Sequence, residues 1–319
     1  MLRRKFLALI SASTVIPGIA IAQPKVPCIG VLALGNLDPG LFLKEFREGL
    51  RDLGYVEGQS ITFEFRSAAG DPKKLALFAA ELVALKVDII AAFQTPAITA
   101  AKQATAEIPI VMAGVGDPVG SGFVASLARP GGNLTGMSGA TAELGGKNLE
   151  LIREALPSAR RVAVLVNVPD PFHKPFLENM LASGRTLGLD IKPILLRGAD
   201  EIDASFAETT TWRAEAVIIQ PSFPHKRFAD VALKHRLPAF APHSDFSRSG
   251  GLMSYSADQL AIYRESASFV DKIIKGRKPA DLPVQLSTKF LLVVNLKTAN
   301  ALGLTLPPTL LTRADQVIE

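Results

Sequence analysis

Short apolar runs alternate with segments whose apolar residues recur every three or four positions, from about residue 26 to about residue 275. The runs have the length of buried strands and the periodic segments that of amphipathic helices. In the first half the pattern predicts strands over 26–34, 61–66, 87–93, 108–114 and 133–139. Between them it predicts helices over 41–53, 72–85, 96–107 and 118–127. The helix over 41–53 puts Phe42, Phe46, Leu50 and Leu53 on one face and charged residues elsewhere, and Gly54 stops it. Pro72 occupies the first turn of the next helix, where its missing N–H costs nothing.

The second half repeats this order. Strands are predicted over 161–168, 190–196, 216–220, 237–241 and 252–256, with helices over 175–187, 201–213 and 225–236 and a short turn through Asp245 before the last strand. A Gly-Gly pair precedes the final strand of each half, at Gly131-Gly132 and at Gly250-Gly251, and a long helix follows, over 143–156 and 258–275. Strand–helix alternation of this kind gives parallel sheets with right-handed crossovers. The expected fold is therefore α/β: two doubly wound parallel-sheet lobes joined by a three-crossing hinge. The crossings fall near 138–142, 255–258 and 285–290, which assigns 23–139 plus 257–286 to an N-terminal lobe and 140–256 plus 287–319 to a C-terminal lobe. Open sheets of this type bind ligands beyond the carboxyl ends of their strands, so two facing lobes make a clam-shell with a cleft.

Composition narrows the class of molecule. Residues 1–22 carry Arg3-Arg4-Lys5, an apolar stretch from Phe6 to Ile21, and a small-residue site at Ala20-Ile21-Ala22 before Gln23. That is the pattern of a cleaved export signal, by either the Sec or the twin-arginine route. Ser11, Ser13, Thr14 and Pro17-Gly18 interrupt the stretch, which argues against a stable membrane span. The product is expected in the periplasm, cut near Ala22/Gln23. The formal charge of the whole chain is +5; without the three basic residues of the signal it is 32 basic against 30 acidic side chains, which is no footprint for nucleic acid. Cys28 is the single cysteine, so neither an intramolecular disulfide nor a cysteine metal site can form, and Lys25-Val26-Pro27 before it lacks a lipoprotein context. None of the 4 histidines lies in a zinc-binding pattern, and no Gly-x-Ser-x-Gly elbow is present. Adjacent His243-Ser244-Asp245 cannot face one another as a triad requires. No catalysis, metal or cofactor is expected.

Several stretches resemble the TrpX-like ABC-transporter substrate-binding proteins, a branch of the type I periplasmic binding-protein fold. They are Gly54-Tyr-Val-Glu-Gly-Gln, Gly116-Asp-Pro-Val-Gly, Ser126-Leu-Ala-Arg-Pro-Gly-Gly-Asn-Leu-Thr-Gly and Gly250-Gly-Leu-Met-Ser-Tyr, with Val270-Asp-Lys-Ile-Ile-Lys-Gly, Lys278-Pro-Ala-Asp-Leu-Pro-Val, Asn295-Leu-Lys-Thr-Ala and Ala301-Leu-Gly-Leu-Thr-Leu-Pro-Pro in the tail. The resemblance implies a monomeric receptor that captures a small polar ligand, an amino acid or a similar compound, and delivers it to an ABC permease and its ATPase. A sensory receptor that reports to a membrane signalling protein is the alternative. Two loops depart from the family pattern: Gln94-Thr95-Pro96 stands where Gly-Thr-Pro is usual, and Ser254-Tyr255-Ser256 where Ser-Tyr-Gly is usual.

Strand carboxyl ends nominate the ligand loops. In the first lobe these are the segment with Asn36, the segment Gln94-Thr95-Pro96, and Gly116-Asp117-Pro118; in the second they are Asn167–Asp170, Pro221-Ser222 and the His243–Asp245 turn, with Tyr255 at a crossing. The candidate contacts are Asn36, Gln94, Thr95, Pro96, Gly116, Asp117, Asn167, Ser222 and Tyr255. Thr95-Pro96-Ala97 opens a helix whose free N–H groups suit a carboxylate, or Thr95 simply caps that helix. Asp117 suits an ammonium group, or it caps a turn. Tyr255 suits an aromatic ligand, or it packs in the hinge.

Overall fold

A computed structural model describes residues 25–35 and 39–319. The export signal over 1–22 and Asn36 lie outside the described residues. The strands of the first half are β1 (Cys28–Ala33), β2 (Thr62–Ser67), β3 (Ile89–Phe93), β4 (Ile110–Val115) and β5 (Leu134–Ser138). Their helices are α1 (Pro39–Asp52), α2 (Leu75–Ala84) and α3 (Thr95–Ala104). After α4 (Gly145–Ala155) the second half forms β6 (Arg161–Asn167), α5 (His173–Leu187), β7 (Asp190–Leu196), α6 (Ile202–Thr211), β8 (Ala216–Ile219), α7 (His225–Lys234), β9 (Ala239–Phe240), α8 (Ser244–Arg248) and β10 (Met253–Ala257). The tail adds α9 (Gln259–Ile274), β11 (Gln285–Leu286), β12 (Phe290–Asn295), α10 (Leu296–Leu302), α11 (Pro308–Thr312) and β13 (Gln316–Ile318).

These strands build two mostly parallel sheets. The first has the order β11-β5-β4-β3-β1-β2 and the second β13-β12-β10-β9-β8-β6-β7. Read outward from β1 and from β6, the first five strands of each half occupy equivalent places. Alternate residues of each strand feed opposite faces: Ile29, Val31 and Ala33 enter one core of the first sheet, Leu32 the other. In the second sheet Val162, Val164 and Val166 pack on one side while Ala163 and Leu165 pack on the other. Burial on both faces explains why these strands are continuous apolar runs without polar alternation.

Four predicted details change. Residues 118–127 form no helix: Asp117 Oδ1 accepts the Val119 and Gly120 N–H groups at 3.0 and 2.8 Å, and Gly122 takes a φ of +71°, so the chain turns at once. The turn through Asp245 closes into the short helix α8, because the His243 imidazole accepts the Asp245 N–H at its start. Leu53, assigned to the buried face of α1, lies beyond its end and is exposed, while Leu43 is buried. The sheets are also not wholly parallel, since β12 runs antiparallel to β10. β10 leaves the second sheet at Ala257, beside Phe290 where β12 enters it, so the two strands run in opposite directions.

Among the described residues the chain passes between the sheets three times: from β5 to α4, from β10 to α9, and from β11 to β12. The passages lie side by side. Ser287 N–H donates to the Ser138 carbonyl at 2.9 Å, and Asp258 N–H to the Lys289 carbonyl at 2.9 Å. After the second passage α9 returns to pack on α1 and the first sheet, where Ile262, Tyr263, Phe269 and Val270 complete the core. The two helices approach closely because Gly49 has no side chain: a Cβ there would strike the Arg264 carbonyl. Backbone cannot rotate out of the way as a side chain can. Gly49→Ala should therefore cost about 1–3 kcal/mol, the usual penalty of overpacking, read as a lower urea midpoint; an unchanged midpoint would mean that the helices separate freely.

Candidate functional site

The strand order of each sheet reverses beside its first strand, between β1 and β3 and between β6 and β8. Crevices at such switch points open at strand carboxyl ends. Here they face each other. A cavity of about 510 Å³ lies between them, lined by Leu34, Gly35, Ala69 and Gln94 of the first half and by Pro221–Lys226, His243, Asp245 and Arg248 of the second. A smaller chamber of about 30 Å³ adjoins it, lined by Thr95, Gly116, Asp170, Phe172 and Gln259 among others. Gln94, Pro221, Ser222 and His243 border both.

Gln94 holds an unusual backbone. Its φ of +68° and ψ of +151° fall in a region that glycine alone enters without strain. Its side-chain Oε1 is buried and accepts no hydrogen bond. Opposite, His243 is 5% exposed, and its Nδ1 accepts the Asp245 N–H at 3.3 Å. The neutral ring therefore carries its proton on Nε2, which is buried and finds no partner. An unpaired acceptor and an unpaired donor thus sit on residues that line the cleft from opposite lobes. Unpaired buried polar groups cost stability, and both are placed where a ligand would complete them.

The His225 ring lies 4.6 Å from that of His243, centroid to centroid, with its Nε2 on the Pro221 carbonyl at 2.9 Å. Burial, and next the neighbouring His243, hold His225 well below the ordinary imidazole range. Burial also lowers His243, with Asp245 opposing and Arg248 assisting. Asp245 is itself paired with Arg248 at 3.1 Å. The wall is thus polar but carries little net charge. Among the described residues no group of three His, Cys, Asp or Glu side chains could hold a metal ion.

The other nominated residues divide. Thr95 is buried and borders the smaller chamber, as does Gly116, and Ser222 borders both. Gly116 presses on the Phe172 ring from the other lobe, so closely that a Cβ would come within 2.6 Å of it. Thr95 does not cap α3: Gln94 occupies that position and makes no side-chain cap. The Ala97 and Ile98 N–H groups already reach the Gln94 carbonyl, and Pro96 has no N–H, which leaves the Thr95 N–H for a ligand. Pro96 itself sets the helix start and lines neither cavity. Asn167 stands behind the wall, its side-chain amide donating to Ser222 Oγ at 3.0 Å.

Two nominated residues are engaged away from the cavities. Asp117 spends its carboxylate on its own turn and lines neither cavity. Tyr255 stacks on Phe290 at 6.0 Å, and its carbonyl accepts from Asn148 Nδ2 at 3.0 Å, so it packs at the hinge. The residues that sequence reasoning passed over are His225, His243, Asp170 and Phe172. Asp170 and His243 belong to loops that the strand ends had nominated; the loops were visible, and the choice of residue within them was not.

A family model described as ABC transporter substrate binding protein matches residues 39–318. A tyrosine-binding protein of Clostridioides difficile (strain R20291) is 28% identical over 272 residues, covering 82% of this chain and 76% of that protein. Among solved structures, a conserved domain protein from Vibrio cholerae superposes with a TM-score of 0.84 at 25% identity, covering 92% of this chain and 100% of that one. An ABC domain from Streptococcus pneumonia, in complex with L-Trp, gives 0.83 at 28% identity, covering 92% and 99%.

Two outcomes follow from the site. Both imidazoles bind protons more readily in the unfolded chain, so stability should rise with pH through the imidazole range and fall below it. Melts at about pH 7.5 and about pH 5 should differ by on the order of 1–2 kcal/mol, with the lower pH less stable. A flat profile would show that the rings take up protons equally in the folded and the unfolded chain. Gln94→Gly should stabilise the ligand-free protein by about 1 kcal/mol, because relieved strain exceeds the entropy that glycine adds to the unfolded chain; a lower melting temperature would contradict this.

Proposed function

The chain belongs to the family of ABC transporter substrate-binding proteins, and we propose that it captures an amino acid between its lobes and presents it to a permease coupled to an ATPase. The carrying observation is the cavity between the lobes, walled on opposite sides by Gln94 and His243, each of which holds an unpartnered polar atom, Oε1 and Nε2. A ligand that satisfies both binds the closed arrangement better than the open one, which is what closure by a ligand requires. The relatives support the ligand class: one is named for tyrosine and one holds L-Trp. The cavity, at about 510 Å³, has room for a side chain of that size.

In this reading the ligand carboxylate lies at the start of α3, where the Thr95 N–H and the positive end of the helix point at the smaller chamber. Gln94, Thr95, Gly116 and Ser222 border the ligand, and Asn167 holds Ser222 in place. The two lobes comprise 23–139 with 257–286 and 140–256 with 287–319. The protein works as a monomer without cofactor or catalysis. Its first 22 residues direct export and are removed near Gln23, leaving the receptor in the periplasm; no described helix is long and apolar enough to cross a membrane.

A thermal-shift panel of amino acids, sugars and nucleosides tests the ligand class. A compound that binds only the folded state raises its stability by RT ln(1 + [L]/Kd), about 2.7 kcal/mol at a hundredfold excess over Kd. At least one amino acid should give such a shift, and the same compound should make the particle more compact in small-angle scattering. Shifts from sugars or nucleosides alone would remove the amino-acid assignment and leave the receptor.

A further inference from the structure

Asp170 follows β6 by three residues and borders the smaller chamber, yet it is only 2% exposed. Its Oδ1 accepts the Phe172 N–H at 3.0 Å and its Oδ2 the Gln220 side-chain amide at 2.9 Å. Gln220 is fully buried and held in turn, since its Oε1 accepts the Asn167 N–H at 2.9 Å. Ser222 is a third partner of the carboxylate, and all three donors are neutral. The neighbouring His173 places its Nδ1 2.7 Å from the Asp170 backbone carbonyl and is the smallest of the influences on the carboxylate. Among the described residues no lysine, arginine or histidine forms an ion pair with Asp170.

A carboxylate buried without a counter-charge is costly, because neutral hydrogen bonds replace only part of its hydration. This one faces a chamber whose other wall is Thr95 and Gly116 of the opposite lobe. Other acidic groups of the region are already engaged: Asp245 with Arg248, and Asp117 with its own turn. We propose that Asp170 receives the ammonium group of the ligand, which brings the positive charge that the folded protein lacks at this point. The assignment rests on the amino-acid reading above and specifies it. Burial pushes the Asp170 carboxyl above the usual carboxylate range, the direction expected of an acid still awaiting its partner.

The two charges of a zwitterion are then divided between the lobes. The first lobe offers a helix start to the carboxylate, and the second offers Asp170 to the ammonium. A carboxylic acid without the amine engages one lobe only, so the amine is read twice, as a contact and as a condition for closure.

Paired probes test this on the mature protein by calorimetric titration: L-tyrosine against 3-(4-hydroxyphenyl)propionate, and L-tryptophan against indole-3-propionate. The wild type should prefer each amino acid over its amine-free partner by tenfold or more. Asp170→Asn keeps the shape and an acceptor for the Phe172 N–H, and it should weaken the amino acid by at least tenfold while leaving the amine-free acid nearly unchanged. Asp170→Ser should collapse the preference in the same way; both variants leave a buried donor, Gln220 or Phe172 N–H, short of an acceptor, so a ligand-free melt is used only to show that each is folded. A preference that survives both variants, or a wild type that binds both members of each pair alike, overturns the assignment to Asp170 alone. If neither amino acid binds and only a sugar or nucleoside does, the amino-acid reading falls and this assignment with it.

Discussion

Every other feature of the molecule depends on three backbone passages held edge to edge. Ser138 and Ser287 share one hydrogen bond and Asp258 and Lys289 another, so the three segments form a narrow strip between the sheets. A single connecting strand would leave the lobes free to twist in any direction. Three strands bonded side by side resist twisting and shear while they still bend across the strip. Bending across the strip would bring the carboxyl ends of β1 and β3 toward those of β6 and β8. The cavity lies where that motion closes, and Phe172 against Gly116 marks where the walls meet.

The cleft walls are incomplete in a consistent way. Gln94 carries backbone strain, His243 carries an unpartnered Nε2, and Asp170 carries a buried carboxylate without a cation. Each lowers the stability of the empty protein, and the surrounding cores are large and apolar enough to tolerate it. Local violations of packing rules gathered at one place, in a chain that obeys them elsewhere, are what a binding site requires. The neutral histidine pair belongs to the same pattern, since charged rings there would repel each other and any cation approaching Asp170.

Most of the architecture was legible because it rests on periodicity. Strands buried on both faces must be continuous apolar runs, and helices that cover them must show one apolar face; these signals persist whatever the exact register. The failures fall where a local interaction decides the outcome. Residues 118–127 have helical composition, but the Asp117 carboxylate takes the first N–H groups and Gly122 turns the chain. The antiparallel course of β12 follows from its entering the second sheet at the end where β10 leaves it, which apolar patterning does not reveal. Strand ends pointed to loops that line the two cavities, but an Asp such as Asp117 or Asp170 looks the same in either role. Only the three-dimensional surroundings separate a carboxylate that closes its own turn from one left facing a cavity.

The interleaved course of the chain also constrains how it is made. The first sheet has all its central strands once residue 138 has been synthesised, but the helix that covers one of its faces is α9, and its edge strand is β11. Until residues 259–286 emerge, the core around Phe46 and Phe93 lacks Ile262, Tyr263, Phe269 and Leu282 and stays open to water. The second lobe is likewise closed only by β12 and β13 at the end of the chain. The first lobe can close only after residue 286 and the second only at the end of the chain, so a nascent chain remains incompletely packed over most of its synthesis.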